Sequence, residues 1–189
     1  MNTHQIEIVL LRLMQGGDVT PADRSDNRAR IENLRCFGHL PPGDGLSQHL
    51  NAEQIARAVL GLAPVRADWA GHAAAVLGGL RPKGGAAEGF CGAPNLVTAI
   101  ALLIMDCSAR QMLDHVRISM GQAGDYRGYA QIALEHQTFS YSWAYPGDVP
   151  RPTDDPDATA CAQLASRELV LAGRFFDELA SAITLRAII

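Results

Sequence analysis

The chain has 189 residues, of which 48% are hydrophobic and 19% charged, with a formal net charge of -4. That length and apolar content are enough to bury a real core, read here as one domain plus a smaller one. The acidic balance excludes a strongly electrostatic, non-specific nucleic-acid binder, and even residues 1–64 hold six Arg against seven Asp or Glu.

In chain order, Ile6, Val9, Leu10 and Leu13 recur at helical spacing between Gln5 and Met14, and Gly16-Gly17 stops that helix. Thr20 caps the next one. Pro21 takes its first position, where a missing N–H costs nothing because that donor has no intrahelical partner. At about 100° per residue, Ile31, Leu34 and Phe37 fall on one apolar arc with Arg24, Arg28 and Arg35 beside it, and Gly38 ends the helix. Leu40-Pro41-Pro42 cannot stay helical. Gly43-Asp44-Gly45 reads as a hairpin tip and Leu46 to Leu50 as its return strand. Asn51 then caps a helix whose Ile55, Val59 and Leu62 share a face, with Glu53 in the dipole-favoured first turn. Helix, tight connector, hairpin, helix is the order of a recognition helix followed by a wing.

Ala63-Pro64 opens a change to Ala- and Gly-rich sequence with few charges, which places a domain boundary at residue 64. Asp68 is expected to cap a helix running to about Leu80, with Trp69, Ala73, Val76 and Leu80 inward. Arg81-Pro82-Lys83-Gly84-Gly85 reads as a plain connector, since Walker spacing and a preceding strand are both missing from it. A strongly apolar helix follows from Asn95 to about Met105, the expected buried centre of the second domain. Val116, Ile118 and Met120, then Ala130, Ile132 and Leu134, then Phe139, Tyr141 and Trp143 alternate with polar residues, the signature of a three-stranded antiparallel meander. Its aromatic face would pack on the apolar helix rather than stack nucleobases, because no basic groove accompanies it. Residues 146–157 form a Pro- and Asp-rich linker, and residues 158–189 an amphipathic helix with Leu164, Leu171, Phe175, Leu179 and Ile183 on one stripe and Phe176 off to one side. Leu185, Ile188 and Ile189 are left as a surface for a dimer or partner. The fold class expected is mainly α (α+β): a winged helix-turn-helix over 1–64, then a helical domain with the meander over 65–145.

Cys36, Cys91, Cys107 and Cys161 are widely spaced, which suggests neither a zinc site nor a disulfide framework. The start of the chain lacks a basic region before an apolar one, and Ala99 to Met105 is too short to cross a bilayer, so a reducing cytoplasm is the expected home. No Gly-x-Ser-x-Gly, His-Glu-x-x-His or Gly-x-Gly-x-x-Gly motif occurs, and Asp106 and Asp114 stand apart from an obvious base. Cys36 beside His39 is the nearest thing to a nucleophile and base, but at a helix end next to Phe37 it reads as a packing residue. No enzyme, cofactor or metal is expected.

The run from Arg30 through Leu34-Arg35-Cys36-Phe37-Gly38-His39-Leu40-Pro41-Pro42, a Gly-containing turn, and then Leu50-Asn51-Ala52-Glu53-Gln54-Ile55-Ala56-Arg57 resembles the winged helix-turn-helix of MerR-type regulators. With its Thr20-Pro21-Ala22-Asp23-Arg24-Ser25 start, the segment more closely resembles small transcription regulators of prophages and gene transfer agents. The resemblance covers about the first third of the chain. It stops where MerR proteins continue into a long dimerisation helix and an effector or Cys metal site, so inducer sensing is not carried over. What it implies is activation of phage-like or gene-transfer-agent genes, with a nucleoid-associated helper. Arg24, Ser25, Asn27, Arg28, Arg30 and Arg35 are then expected to meet the major groove or its phosphates. Ser47, Gln48 and His49 would touch the backbone or minor groove. Arg30 lies partly on the packing side. The partners expected are double-stranded DNA, RNA polymerase or a nucleoid-associated protein, and a second copy. The acidic balance keeps a rival open, an RNA-polymerase-binding elongation or antitermination factor that uses the winged segment for docking; a small enzyme of unknown type is the remaining alternative, and would need a cleft that sets Cys36, Cys91 or Cys107 beside a His.

Overall fold

The computed structural model describes residues 1–16, 18–42, 48–120, 128–142 and 168–186. Three capped helices come first. In α1 (Thr3–Gln15), Asn2 accepts from the Gln5 N–H while the Gln5 side chain returns the bond to Asn2. α2 (Pro21–Cys36) carries the same reciprocal box between Thr20 and Asp23, and α3 (Ala52–Leu60) between Asn51 and Gln54. Gly38, at a φ of +73°, lets the chain turn so that the His39 N–H reaches the Leu34 carbonyl, 2.9 Å away.

α4 (Ala70–Gly78) is preceded by a 3-10 turn over Ala67–Trp69, and α5 (Leu96–Met105) begins at the Asn95 cap. α6 (Cys107–Arg110) is a single turn, with Asp106 as its cap. Next come β2 (Leu113–Ser119), β3 (Tyr129–Leu134) and β4 (Thr138–Ser142), then β5 (Glu168–Ala172) and α7 (Gly173–Arg186). With β1 (Arg81–Pro82) they make one antiparallel sheet in the order β1-β4-β3-β2-β5. The fold of the described residues is therefore mixed, seven α-helices and one five-stranded antiparallel sheet.

Alternation decides which side of the sheet is buried. Val116, Ile118, Ala130, Ile132, Tyr141, Leu169 and Leu171 are all buried, while Arg117 and Val170 between them are exposed. α5 is buried on nearly every side, and α3, α4 and α7 pack against it. A single hydrophobic cluster joins α1, α2 and α3 to α4, α5, the sheet and α7, and runs unbroken across Ala63-Pro64. Tyr141 is fully buried and accepts a hydrogen bond from the Phe90 N–H at 2.9 Å, while burial pushes its phenol up to about 12. Phe139 meets Phe90 edge to face. These two aromatics belong to the core; Trp143 lies outside the described residues.

Several elements differ from the sequence reading, each for a local reason. The hairpin tip and Ser47 lie outside the described residues, but residues 48–50 are in no strand. Leu50 is buried and its N–H is held by the Met1 carbonyl at 2.8 Å. Asp68 does not cap α4; its carboxylate takes the Arg66 Nε–H at 3.0 Å, and the helix starts two residues later. Trp69 is accordingly exposed and Val76 only half-buried, the inward residues being Ala70, Ala73, Ala74, Leu77 and Leu80. Arg81-Pro82 is a strand, not a connector: it pairs with β4 at the edge, where a proline without an N–H is tolerated. No helix covers 168–172, since that stretch is β5, and Phe176 is fully buried rather than off to one side. The linker at 146–157 and Leu164 fall outside the described residues. No described helix is long and apolar enough to cross a membrane.

Candidate nucleic-acid interface

α2 has one face of fixed side chains and one of free ones. The fixed face begins at Asn27, whose Nδ2 donates to the Glu7 carbonyl at 2.8 Å and so ties α2 to α1. One turn on, Arg30 is 8% exposed and spends its guanidinium on the protein itself. Its Nε donates to Asp26 at 2.9 Å, and its terminal nitrogens to the carbonyls of Gly61, Pro64 and Val65 at 3.2, 2.8 and 3.0 Å. Those carbonyls lie at the C-cap of α3 and just beyond it, so Arg30 fastens α2 to the segment leaving α3 and spends four of its five N–H donors on the protein itself. Asn27 and Arg30 thus leave the set of DNA-facing residues read from the sequence. The signal was present in their spacing, because Asn27, Arg30, Ile31 and Leu34 fall on one side of the helix and all four are buried.

Arg24, Ser25 and Arg28 lie outside that buried arc, and all three are exposed. Arg24 and Arg28 are one turn apart, and among the described residues neither has an ion-pair partner. The acids that might have neutralised them are engaged elsewhere. Asp26 is taken by Arg30 and Glu32 by Arg35, at 2.9 and 2.7 Å. Asp23 faces Thr20 at the cap, whose hydroxyl and N–H hold its carboxyl below the usual range. Two free guanidinium groups one turn apart in the first half of α2 make a local cationic strip on an acidic protein. Arg35 stands at its far end with most of its side chain covered and must leave Glu32 to reach a ligand.

Beyond α2, Gln48 and His49 are exposed on the segment that leads into α3, and His49 Nδ1 lies 3.3 Å from the Met1 nitrogen. The structure also brings together residues that the sequence did not. Asn33 Oδ1 accepts the Gly71 N–H at 2.7 Å, His39 Nε2 donates to the Gly71 carbonyl at 2.9 Å, and the Phe37 ring lies where a Gly71 Cβ would stand, 2.5 Å away. This clamp docks the end of α2 on the start of α4. Burial holds the His39 imidazole below its ordinary range, against the opposing pull of its bond to Gly71. Phe37 keeps half of its surface in solvent and the neighbouring Trp69 about a third, 50% and 36%.

Acid-base chemistry gains little from the geometry. His39 faces Gly71, away from any thiol contact with Cys36. Asp114, isolated in the sequence reading, does have a neighbour: His115 Nδ1 donates to its carboxylate at 2.9 Å. The other ring nitrogen of His115 already accepts from Arg117 at 3.1 Å, which leaves no free base in that pair. Among the described residues no group of three His, Cys, Asp or Glu could hold a metal ion. No family model matches this chain, and no curated protein or solved structure does.

Proposed function

We propose that the chain is a DNA-binding transcription regulator that presents α2 to the major groove, with the exposed Gln48 and His49 contacting the DNA backbone. The observation that carries this reading is the pair Arg24 and Arg28, exposed one turn apart on a helix whose other face is locked by Asn27, Arg30 and Leu34. Preorganisation of this kind suits recognition, because a fixed backbone loses little freedom when its exposed side chains meet a groove. Ser25, between the two arginines, adds a hydroxyl for a phosphate or base edge. The genes it would activate are those that the resemblance implies, of prophage-like elements or gene transfer agents.

The test is recovery of DNA crosslinked to the tagged protein in cells, comparing wild type with the Arg24→Ala, Arg28→Ala double variant. Sharp promoter peaks lost in the variant are the expected result. On a recovered site in vitro, each lost phosphate contact should also flatten the slope of log K against log salt by about 0.9. A second reading, docking to RNA polymerase, is favoured by the net charge of -4 and by exposed Phe37 and Trp69. It requires signal spread along transcribed regions that is indifferent to both arginines, and that outcome would overturn the DNA-reading role of α2.

A further inference from the structure

The sheet has two unlike edges. β1 is two residues long and carries Pro82, which cannot donate to another strand. β5 is five residues long, contains neither proline nor lysine, and its outer side makes no backbone hydrogen bond to any described residue. Beside that edge runs an open groove of about 410 Å³, lined by Leu13 and Met14 of α1, Val170 and Ala172 of β5, and Phe175 and Arg174 of α7. Val170 is 52% exposed and Met14 38%. Proteins usually blunt such an edge, because a row of unpaired N–H and C=O groups beside an apolar side chain is a template for another strand.

We propose that β5 pairs antiparallel with β5 of a second copy about a twofold axis at Val170, doubling the sheet. The strand is self-complementary in that register. Val170 lies opposite its mate, and Leu169, on the buried face, lies opposite the second copy's Leu171, so apolar face meets apolar face. A slip of one residue would set these leucines against the polar side. Charge agrees with the same register. Glu168 lies opposite the second copy's Ala172, a side chain small enough to let the carboxylate pass toward Arg174 at the groove wall. Within one chain Glu168 lies 3.9 Å from Arg117, and Arg174, 87% exposed, pairs among the described residues with Glu178 at 3.0 Å, an exposed pair that leaves most of its guanidinium open. The twofold offers this opposite-charge contact at both ends of the paired strands, as an isologous interface must. The association does not rest on the DNA reading, but a dyad at β5 would supply that reading with a second α2.

Sedimentation equilibrium of the full chain without DNA tests the proposal. Wild type is expected to be a dimer, while Glu168→Arg and Arg174→Glu, each alone, bring like charges together at both ends and leave monomers. Mixed in equal amounts the two variants should re-form a dimer, because the heterodimer restores opposite charges at both ends. Val170→Lys, at a side chain that already reaches solvent, should be a monomer with the far-UV circular dichroism and melting temperature of wild type. That result separates lost pairing from lost folding. A monomeric wild type overturns the proposal and assigns the edge to a different extended peptide. Dimers in all three variants overturn it too, as does a mixture that stays monomeric while both variants are folded.

Discussion

Arg28 and Arg30 stand two residues apart in one helix and have opposite fates, because about 200° of helical rotation separates them. Arg28 is exposed, while Arg30 gives four hydrogen bonds, three of them to the carbonyls of Gly61, Pro64 and Val65 on the segment that leaves α3. Removing Arg30 takes that donor from the Gly61 and Pro64 carbonyls, whose bonds to it are buried. Arg30→Ala is therefore expected to lower stability by about 2 to 4 kcal/mol. Arg24→Ala and Arg28→Ala should stay within about 0.5 kcal/mol of wild type, as surface substitutions do. Urea unfolding of the three variants decides it, and an Arg30→Ala variant as stable as Arg28→Ala would mean that these bonds contribute nothing net. At this scale a charge count is incomplete: six arginines against seven acids in residues 1–64 read as a mark against DNA, but the count does not say which cations are paired. Pairing, not the total, determines what is offered, since the partners of Arg30 and Arg35 are also the acids that would otherwise screen Arg24 and Arg28. Only the position of Asn27 and Arg30 on the apolar arc was legible beforehand. The clamp of Asn33, Phe37 and His39 on Gly71 was not, because it joins side chains more than thirty residues apart.

Among the elements, those that announce their own ends were legible. Thr20, Asn51 and Asn95 cap helices that start where the sequence puts them, since a cap is a local bond between neighbours. β1 could not be read, because two residues acquire strand character only by pairing with β4. β5 and α7 show a subtler failure. Leu171 and Phe175 are spaced by four, as on a helix, while Leu169 and Leu171 are spaced by two, as on a strand, and periodicity alone let the helix overrun the strand. The boundary lies at Gly173. A Cβ there would stand 2.3 Å from the Leu113 carbonyl oxygen, a backbone atom at the start of β2 with no freedom to step aside. Gly173→Ala is expected to cost about 2 to 4 kcal/mol by forcing the β5–α7 corner away from β2. Thermal melting followed by circular dichroism measures it, and an unchanged midpoint would show that the corner has slack.

For the molecule as a whole, the question is whether the compositional change at Ala63-Pro64 is also a break in cooperativity. Packing argues that it is not. α3 lies against α5, Arg30 bonds to carbonyls on both sides of Ala63, and the clamp on Gly71 holds the end of α2 to α4. Residues 1–64 would therefore expose much of their apolar surface if cut free: Ile55, Val59 and Leu60, at most 2% exposed in the intact chain, would lose α5 as their cover. The described core has one contiguous cluster, which favours a single unfolding unit. Urea unfolding followed by tryptophan fluorescence and by far-UV circular dichroism should give coincident transitions, and a fragment ending at Pro64 should show no cooperative melt. Two separated transitions, or a folded fragment, would locate an independent unit at the boundary read from composition. Coincident transitions carry a consequence for the proposed function. The presentation of Arg24 and Arg28 would then depend on the sheet and on α5, so a substitution far from α2 should weaken DNA binding once it destabilises the fold enough to populate the unfolded chain.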